Sequence, residues 1–182
     1  MIVAAIVAYA FVAVPATVAE QPEAALVMSW QGVGGITAET PYEAEALRAL
    51  LPGYEVAVRR RLVEGMSEVS FVVRKDGRDM LLVHSNGNAV GSITAVGDSV
   101  ADEAGLTIGK STFADFGPPE FSECYLEEET DMALVACGEP DSFITHLFAT
   151  PKRVEAGTDG RVPPSAVPPG SVLKRMVWYA AG

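Results

Sequence analysis

The stretch "AGLTIGKSTFADF", residues 104–116, contains the residue types of a nucleotide-binding loop. Such a loop has the spacing G-x-x-x-x-G-K-[ST], because its backbone N–H groups must wrap the phosphates before the lysine reaches them. Here Gly105 is one residue too close to Gly109, and only about one helical turn fits before the next Gly-Pro-Pro sequence. The stretch therefore predicts a turn and a short helix capped by Thr112 and Asp115, and no nucleotide site.

The two histidines, His84 and His146, lie inside the apolar segments "MLLVHS" and "FITHLF". A zinc site needs three or four ligands, and no nearby Cys or Glu pattern supplies them. A hydrolytic triad needs a serine and a carboxylate beside the histidine. Ser85 follows His84 directly, which places the two side chains on opposite faces of a strand, and no G-x-S-x-G motif is present. We expect packed or surface-facing histidines, no catalytic residues, no metal and no cofactor.

The acidic residues form two clusters. One contains Asp98, Asp102 and Glu103, and the other covers residues 127–131 of a predicted hairpin turn. Calcium takes six to eight oxygen ligands, and neither cluster has the D-x-[DN]-x-[DN]-G pattern that supplies them. Both clusters are expected to be solvated turns.

The longest basic run is Arg59, Arg60 and Arg61. Strand alternation places Arg59 and Arg61 on one face and Arg60 on the other, together with valine and leucine side chains. If that second face is buried, Arg60 needs a carboxylate partner or a bulge in the strand. The functional alternative is that Arg59 and Arg61 belong to a small anion-binding or partner-binding patch.

The chain begins with an uncharged apolar run, "MIVAAIVAYAFVAV", followed by Pro15 and the small residues of "ATVA". The pattern is typical of a secretory signal peptide cut after Ala19, and it is short of the roughly 20 apolar residues of a membrane span. No Lys or Arg precedes the run, which points to a start further upstream. We expect a signal peptide over 1–19, a linker over 20–30 and one domain over 31–182, with export to the periplasm; the alternative is an uncleaved N-terminal anchor.

The charge balance excludes some partners. The chain has 13 Lys and Arg against 24 Asp and Glu, which gives a formal net charge of −11. Binding to nucleic acid or to anionic lipid depends on clustered basic residues, so neither is expected. An acidic balance of this size keeps an exported protein soluble.

The two cysteines, Cys124 and Cys137, flank "YLEEETDMALVA", in which apolar residues lie on both sides of an acidic turn. The pattern predicts a hairpin. In an exported protein an even number of cysteines indicates a disulfide more often than a metal site or a reactive thiol. We expect a disulfide between Cys124 and Cys137, contributing about 3 kcal/mol of stability.

One main helix is predicted after residue 40. Thr40 is placed at its N-cap, Pro41 at its first position and Glu43 three residues after the cap, which is a capping box. The sequence Pro52-Gly53 ends it. Its apolar face consists of Ala46, Leu47, Leu50 and Leu51.

The rest of the chain changes to short strands with strong turn signals at Asp76-Gly77 and Asn86-Gly87. Eight segments are predicted: "YEVAVRRRLV", "VSFVVRK", "MLLVHS", "AVGSITAV", "ECYLEE", "MALVAC", "FITHLFA" and "VLKRMVWYA". Tight turns require antiparallel pairing. The fold class is therefore α+β, a β-rich antiparallel meander sheet with one main α-helix packed on it and a short helical turn. Residues 150–170, rich in proline and glycine, predict a surface crossover or, alternatively, a functional or disordered loop.

The segments "QGVGGITAETP", "LPGYEV", "ITAVGDSVADEAGLTIGKSTFADF", "LVACGE" and "VLKRMVWY" resemble the RpoE-regulated lipoprotein family, also called YfeY-like. The resemblance runs from about Gln31 to Tyr179. It implies an envelope protein of Gram-negative bacteria under envelope-stress control, with no catalytic residues to transfer. Lipoproteins of the family carry a cysteine just after the signal sequence, and none lies near Ala19, which argues against membrane attachment through a lipid.

The residues and the resemblance together favour a non-enzymatic envelope module that binds an unknown envelope protein or a small ligand. The binding surface is expected at the proline-rich loop or near Trp30 or Trp178, although both tryptophans also suit the core. The alternatives are a periplasmic carrier of a small ligand or metal, and a hydrolase. A hydrolase would require His84 or His146 to lie within hydrogen-bond reach of a serine or carboxylate in a cleft.

Overall fold

The computed structural model describes residues 26–63, 66–117, 122–129 and 132–181, so the predicted signal peptide lies outside the described residues. Within these ranges the chain is dominated by strands. The elements are β1 (Leu26–Ser29), β2 (Gly32–Val33), α1 (Ala44–Leu50), β3 (Glu55–Val63), β4 (Met66–Lys75), β5 (Arg78–Asn86), β6 (Ala89–Ala95), β7 (Val100–Asp102), α2 (Phe113–Phe116), β8 (Glu123–Glu129), β9 (Met132–Gly138), β10 (Ile144–Ala149), a 3-10 turn (Pro164–Ala166) and β11 (Val172–Tyr179).

Eight strands form one antiparallel sheet in the order β3-β4-β5-β6-β11-β10-β9-β8. It consists of two meanders, β3 to β6 and β8 to β10, with the last strand, β11, inserted between them. The predicted turn at Asp76-Gly77 is confirmed, because both residues have positive φ, 50° and 75°. The predicted α+β class, a β-rich antiparallel sheet with one main helix, is confirmed, and each of the eight predicted strands corresponds to one of the observed strands.

One face of this sheet forms the core. Side chains directly opposite each other on antiparallel strands lie on the same face. One such row crosses seven strands and is buried throughout: Val73, Leu81, Ala95, Met176, His146, Cys137 and Cys124. Leu47 and Leu51 pack into the same core from α1 and the residue that follows it. Apolar and polar residues alternate along these strands because one face of the sheet is buried in the core.

A second sheet of three strands has the order β2-β1-β7 and was not predicted. Strand β1 lies in the segment expected to be a linker, and it pairs in parallel with β7, Met28 opposite Asp102. Met28, Val33 and Val100 are buried and belong to the same apolar core as the large sheet. The small sheet therefore contributes directly to the core.

The crossover from β10 to β11 covers the β8 edge of the large sheet. The Leu126 N–H donates to the Gly160 carbonyl at 3.0 Å, and the Val162 N–H donates to the Cys124 carbonyl at 2.8 Å. Val154, Val162 and Val167 are buried. The prediction of a surface crossover is thus confirmed, and its backbone satisfies an edge that would otherwise be open to pairing.

The predicted start of the main helix is wrong. Helix α1 begins at Ala44, and the Thr40 hydroxyl accepts the Thr37 N–H at 2.9 Å instead of capping a helix. The cause is pairing with the start of β6: the Val90 N–H donates to the Thr40 carbonyl at 3.0 Å, and Pro41 lies opposite Ala89 in an isolated bridge. These contacts hold residues 40–41 extended, so a local cap signal is overridden by strand pairing.

The predicted cap of the short helix is confirmed. The Asp115 carboxylate accepts the Thr112 N–H at 2.7 Å and the Thr112 hydroxyl at 2.9 Å. These hydrogen bonds to the charged form lower the pKa of Asp115 below its usual value. The opening stretch is therefore a corner that ends in a capped turn of helix, with Gly117 at positive φ closing it.

The predicted disulfide joins Cys124 of β8 and Cys137 of β9, which are opposite each other in the ladder and 13 residues apart in sequence. Closing a loop of this length restricts the unfolded chain. We expect the double variant Cys124→Ala, Cys137→Ala to lose about 3 kcal/mol of unfolding free energy in denaturant titrations. The wild type in reductant serves as the control and should lose a similar amount. Alkylation of both cysteines in the native, unreduced protein would contradict the assignment.

Candidate functional site

The most exposed aromatic side chain among the described residues is Trp30, at 61% exposure. Trp30 and Gln31 form the turn between β1 and β2, with Ser29 opposite Gly32 in the ladder. Such a short connection leaves the tryptophan no room to fold back under its own strands. The hairpin therefore presents an indole at its tip.

Glycine is required at position 32. A Cβ built there would lie 1.7 Å from the carbonyl oxygen of Ile36, and the residue has φ +149°. That same carbonyl accepts the Val33 N–H at 3.0 Å, so the backbone of residues 32–36 folds tightly against itself. Glycine in this part of the segment "QGVGGITAETP" therefore has a steric reason: Gly32 lets the chain turn back at residues 33–36 directly after the turn that carries Trp30.

Trp178 fixes this turn to the large sheet. Its side chain lies on β11 and is 2% exposed, and its Nε1–H donates to the Trp30 carbonyl oxygen at 3.0 Å. A buried indole N–H needs such an acceptor. The structure thus brings the two predicted tryptophans together, with Trp178 as part of the core and Trp30 as an exposed surface.

A cleft of about 380 Å³ opens between the hairpin tip and the large sheet. This volume is within the usual range of small-molecule sites. Three aromatic side chains contribute to its lining, together with polar groups near the start of β2 and the following loop. The lining residues are Trp30, Gln31, Thr37, Ala38, Glu39, Phe143, Trp178 and Ala181.

Glu39 is the one ionisable side chain among these lining residues. Its Oε2 accepts the Thr37 hydroxyl at 2.7 Å. This hydrogen bond is the main reason that the pKa of Glu39 lies below its usual value. The cleft therefore carries a fixed negative charge at neutral pH.

The expectation that Asp102 lies in a solvated turn is wrong. Asp102 is 7% exposed, and its Oδ2 lies 2.8 Å from Nε2 of His146 on β10. Its other carboxylate oxygen accepts the Leu106 N–H at 2.8 Å. Parallel pairing of β7 with β1 carries the carboxylate into the core, which local sequence does not reveal. The pair joins the small sheet, the large sheet and the corner at residues 104–111.

His146 is packed within aromatic side chains. Its ring centroid lies 4.9 Å from that of Phe116 and 6.5 Å from that of Phe148. Its Nδ1 is buried and has no hydrogen-bond partner among the described residues. His84 is close to a carboxylate as well, with Nδ1 3.3 Å from Glu68 Oε1 on the partly exposed surface. Each histidine is therefore within reach of a carboxylate, but neither is among the residues that line the described clefts.

The arginine run lies away from the cleft, on β3 at the edge of the large sheet, with three strands between it and β11. Arg59 is 3.9 Å from the Asp79 carboxylate, and Arg61 is opposite Glu68 in the ladder. Arg60 is exposed and needs no buried partner. The structure does not bring Arg59 and Arg61 together with Trp30 and Trp178, and nearby carboxylates balance their charge.

Two further findings apply to the described ranges alone. No group of three or more His, Cys, Asp or Glu side chains within them could hold a metal ion. None of the helices found there is long and apolar enough to cross a membrane.

The sequence pattern did not indicate a role for Glu39 or the burial of Asp102. Glu39 precedes the predicted helix, where an acidic residue is ordinary, and its hydrogen bond to Thr37 depends on the turn that follows β2. For Asp102 the preceding Val100 and Ala101 offer a weak strand signal, but nothing in the local pattern indicates a partner 44 residues away.

We expect Asp102→Ala to lower the unfolding free energy by about 3–5 kcal/mol, because it leaves His146 and the Leu106 N–H without their buried acceptor. Asp98→Ala is the matched control in the same loop. Asp98 pairs with Arg78 at 3.6 Å on the surface, with both side chains more than half exposed, and its loss should cost less than about 1 kcal/mol. Denaturant titration measures both values, and equal losses would refute a structural role for the pair.

Gly32→Ala is expected to destabilise the protein by at least about 2 kcal/mol, since the new Cβ collides with the Ile36 carbonyl. Gly35→Ala separates this collision from backbone strain. Gly35 also has positive φ, +88°, but its nearest neighbour to a new Cβ is Leu50 at 3.9 Å, so we expect about 1 kcal/mol. Thermal and denaturant unfolding compare the two variants; a smaller effect for Gly32→Ala would show that the turn relaxes freely.

The chain is similar to known proteins in both sequence and fold. The chain is 24% identical over 153 residues to the "Uncharacterized protein YfeY" of Escherichia coli (strain K12), covering 83% of this chain and 78% of that protein. The crystal structure of the uncharacterized protein yfeY from Escherichia coli superposes with a TM-score of 0.62 at 19% identity, over 84% of this chain and 98% of that one. The fold is therefore shared with that protein. Residues 20–180 match the model of a family described as "Protein of unknown function (DUF1131)", and the chain belongs to this DUF1131 family.

Proposed function

We propose that this protein is an exported, non-enzymatic binding module of the bacterial cell envelope, and that it binds a small ligand in the cleft beside Trp30. The observation that carries the proposal is the exposed indole of Trp30 above an aromatic cleft of about 380 Å³. Aromatic side chains with a few fixed polar groups are the usual lining of small-molecule sites. The envelope location is supported by the apolar N-terminal segment and by the resemblance to RpoE-regulated lipoproteins.

The rigidity of the cleft supports a binding role. The Trp30 backbone is held by Trp178 Nε1 at 3.0 Å, and the Phe143 carbonyl accepts the Tyr179 N–H at 2.9 Å. A site whose walls are fixed before binding loses less conformational freedom when it binds. The exposed indole would lose solvent contact on binding, which gives the ligand an apolar driving force.

The placement of the histidines favours binding over hydrolysis. Attack by an activated serine requires its hydroxyl within hydrogen-bond reach of the histidine. Among the described residues, the buried hydroxyls of Ser122 and Ser171 have no hydrogen-bond partner, so neither bonds to Nδ1 of His146. Phe116 and Phe148 pack against the His146 ring, which leaves it inside the core.

Trp30→Ala is the test variant. The substitution keeps the backbone carbonyl that Trp178 uses and removes a side chain that is 61% exposed, so stability should change by less than about 0.5 kcal/mol. We expect soluble fragments of mixed charge to shift the NMR signals of Trp30, Trp178 and Phe143 in the wild type, and these shifts to disappear in Trp30→Ala.

Leu62→Ala provides the control, because Leu62 is 79% exposed on the distant edge strand β3. It should leave every fragment shift unchanged. The proposal would be overturned if no fragment perturbs the cleft at millimolar concentration, or if the same fragments bind Trp30→Ala equally well.

A further inference from the structure

The described lining of the cleft carries a negative charge and no positive charge. Among the described lining residues are the exposed indole of Trp30, the ring of Phe143 and the buried Trp178, and Glu39 is the single ionisable side chain. Thr37 donates to that carboxylate at 2.7 Å and orients it. No lysine, arginine or histidine is among the described residues that line the cleft. A ligand in it therefore encounters aromatic faces and one negative charge.

The protein holds two cations of its own over aromatic rings, and at Arg161 a carboxylate lies beside the ring as well. The Arg161 guanidinium lies 5.6 Å from the centroid of the Tyr125 ring, and its Nη1 lies 3.4 Å from the Glu123 carboxylate. Lys75 Nζ lies 5.2 Å from the centroid of the Tyr54 ring. An aromatic face attracts a cation through its quadrupole, and tryptophan does so most strongly. The cleft offers the same pair of groups, aromatic ring and carboxylate, to a cation from outside.

We propose that the cleft beside Trp30 takes a small organic ammonium compound, with the ammonium group at the Trp30 indole and the Glu39 carboxylate and the apolar part against Phe143. This inference rests on the proposed binding function and names its ligand class. The cleft volume of about 380 Å³ admits a compact small molecule. The occupant we propose is an ammonium compound free in solution, and not the side chain of a protein partner.

Neutral and anionic ligands fit the same walls less well. A neutral ligand gains the apolar contacts but forgoes the attraction of the indole and of Glu39. An anion would be repelled by the carboxylate, and the described lining residues offer it no basic side chain. Since an exposed cation–π contact and an exposed ion pair each contribute a factor of about two to five, the cation should bind roughly tenfold more tightly than a neutral molecule of the same shape.

The experiment uses three probes of similar shape: phenethylammonium, its neutral analogue 2-phenylethanol and the anion 3-phenylpropionate. Each is titrated into the purified protein while the NMR signals of Trp30, Trp178 and Phe143 are followed. Phenethylammonium is expected to bind roughly tenfold more tightly than 2-phenylethanol, and 3-phenylpropionate more weakly than either.

Glu39→Gln provides the second arm. It should weaken phenethylammonium by about two- to fivefold and leave 2-phenylethanol unchanged, whereas a merely structural role for Glu39 would weaken both probes. Glu45→Gln removes the same charge from α1, where the Glu45 side chain is 84% exposed and does not line the cleft. It should leave both affinities unchanged.

The outcomes separate the inference from the function on which it rests. If the neutral or the anionic probe binds the cleft as tightly as the cation, the ammonium inference is refuted while the cleft remains a binding site. If none of the three probes shifts the Trp30 and Trp178 signals and the mixed-charge fragments also fail, both proposals are refuted.

Discussion

The carboxylate of Asp102 holds three parts of the molecule together. It accepts the Leu106 N–H at 2.8 Å, lies 2.8 Å from Nε2 of His146, and sits on β7, which pairs with β1. A buried carboxylate is costly unless such partners compensate for the lost water. The small sheet therefore has a preferred position on the large one, since displacing β7 would leave the buried Asp102 carboxyl group without these partners.

The cleft depends on this arrangement through β1. Met28 is opposite Asp102 in the ladder, and two residues later the chain reaches Trp30 at the hairpin tip. On the large sheet, His146 pairs with Met176 and Ile144 with Trp178, so the Asp102–His146 hydrogen bond and the Trp178–Trp30 hydrogen bond lie in neighbouring rows. Two polar contacts thus position the β1–β2 hairpin and the exposed Trp30 indole at its tip.

Aromatic side chains pack around His146, so the Asp102–His146 pair lies inside the core and does not line the cleft beside Trp30. Phe116 reaches His146 because the corner at residues 104–111 leads into a capped turn of helix. The corner that looked like a phosphate loop in the sequence instead supplies the Leu106 N–H to Asp102 and places a phenylalanine over the histidine. Its glycines at 105 and 109, both at positive φ, allow the chain to turn there.

Much of this protein was determined by local sequence. Alternation identified the eight strands of the large sheet, Asp76-Gly77 identified a hairpin, Thr112 and Asp115 identified a cap, and the cysteine pair indicated a disulfide. These features depend on neighbouring residues, whose preferences are visible in a short window. Tertiary structure decided the rest: the insertion of β11 between β6 and β10, the start of α1, the small sheet, the burial of Asp102 and the meeting of Trp30 with Trp178 and Glu39. Each of these follows from pairing between residues far apart in the chain, and local periodicity does not specify the partner of a strand.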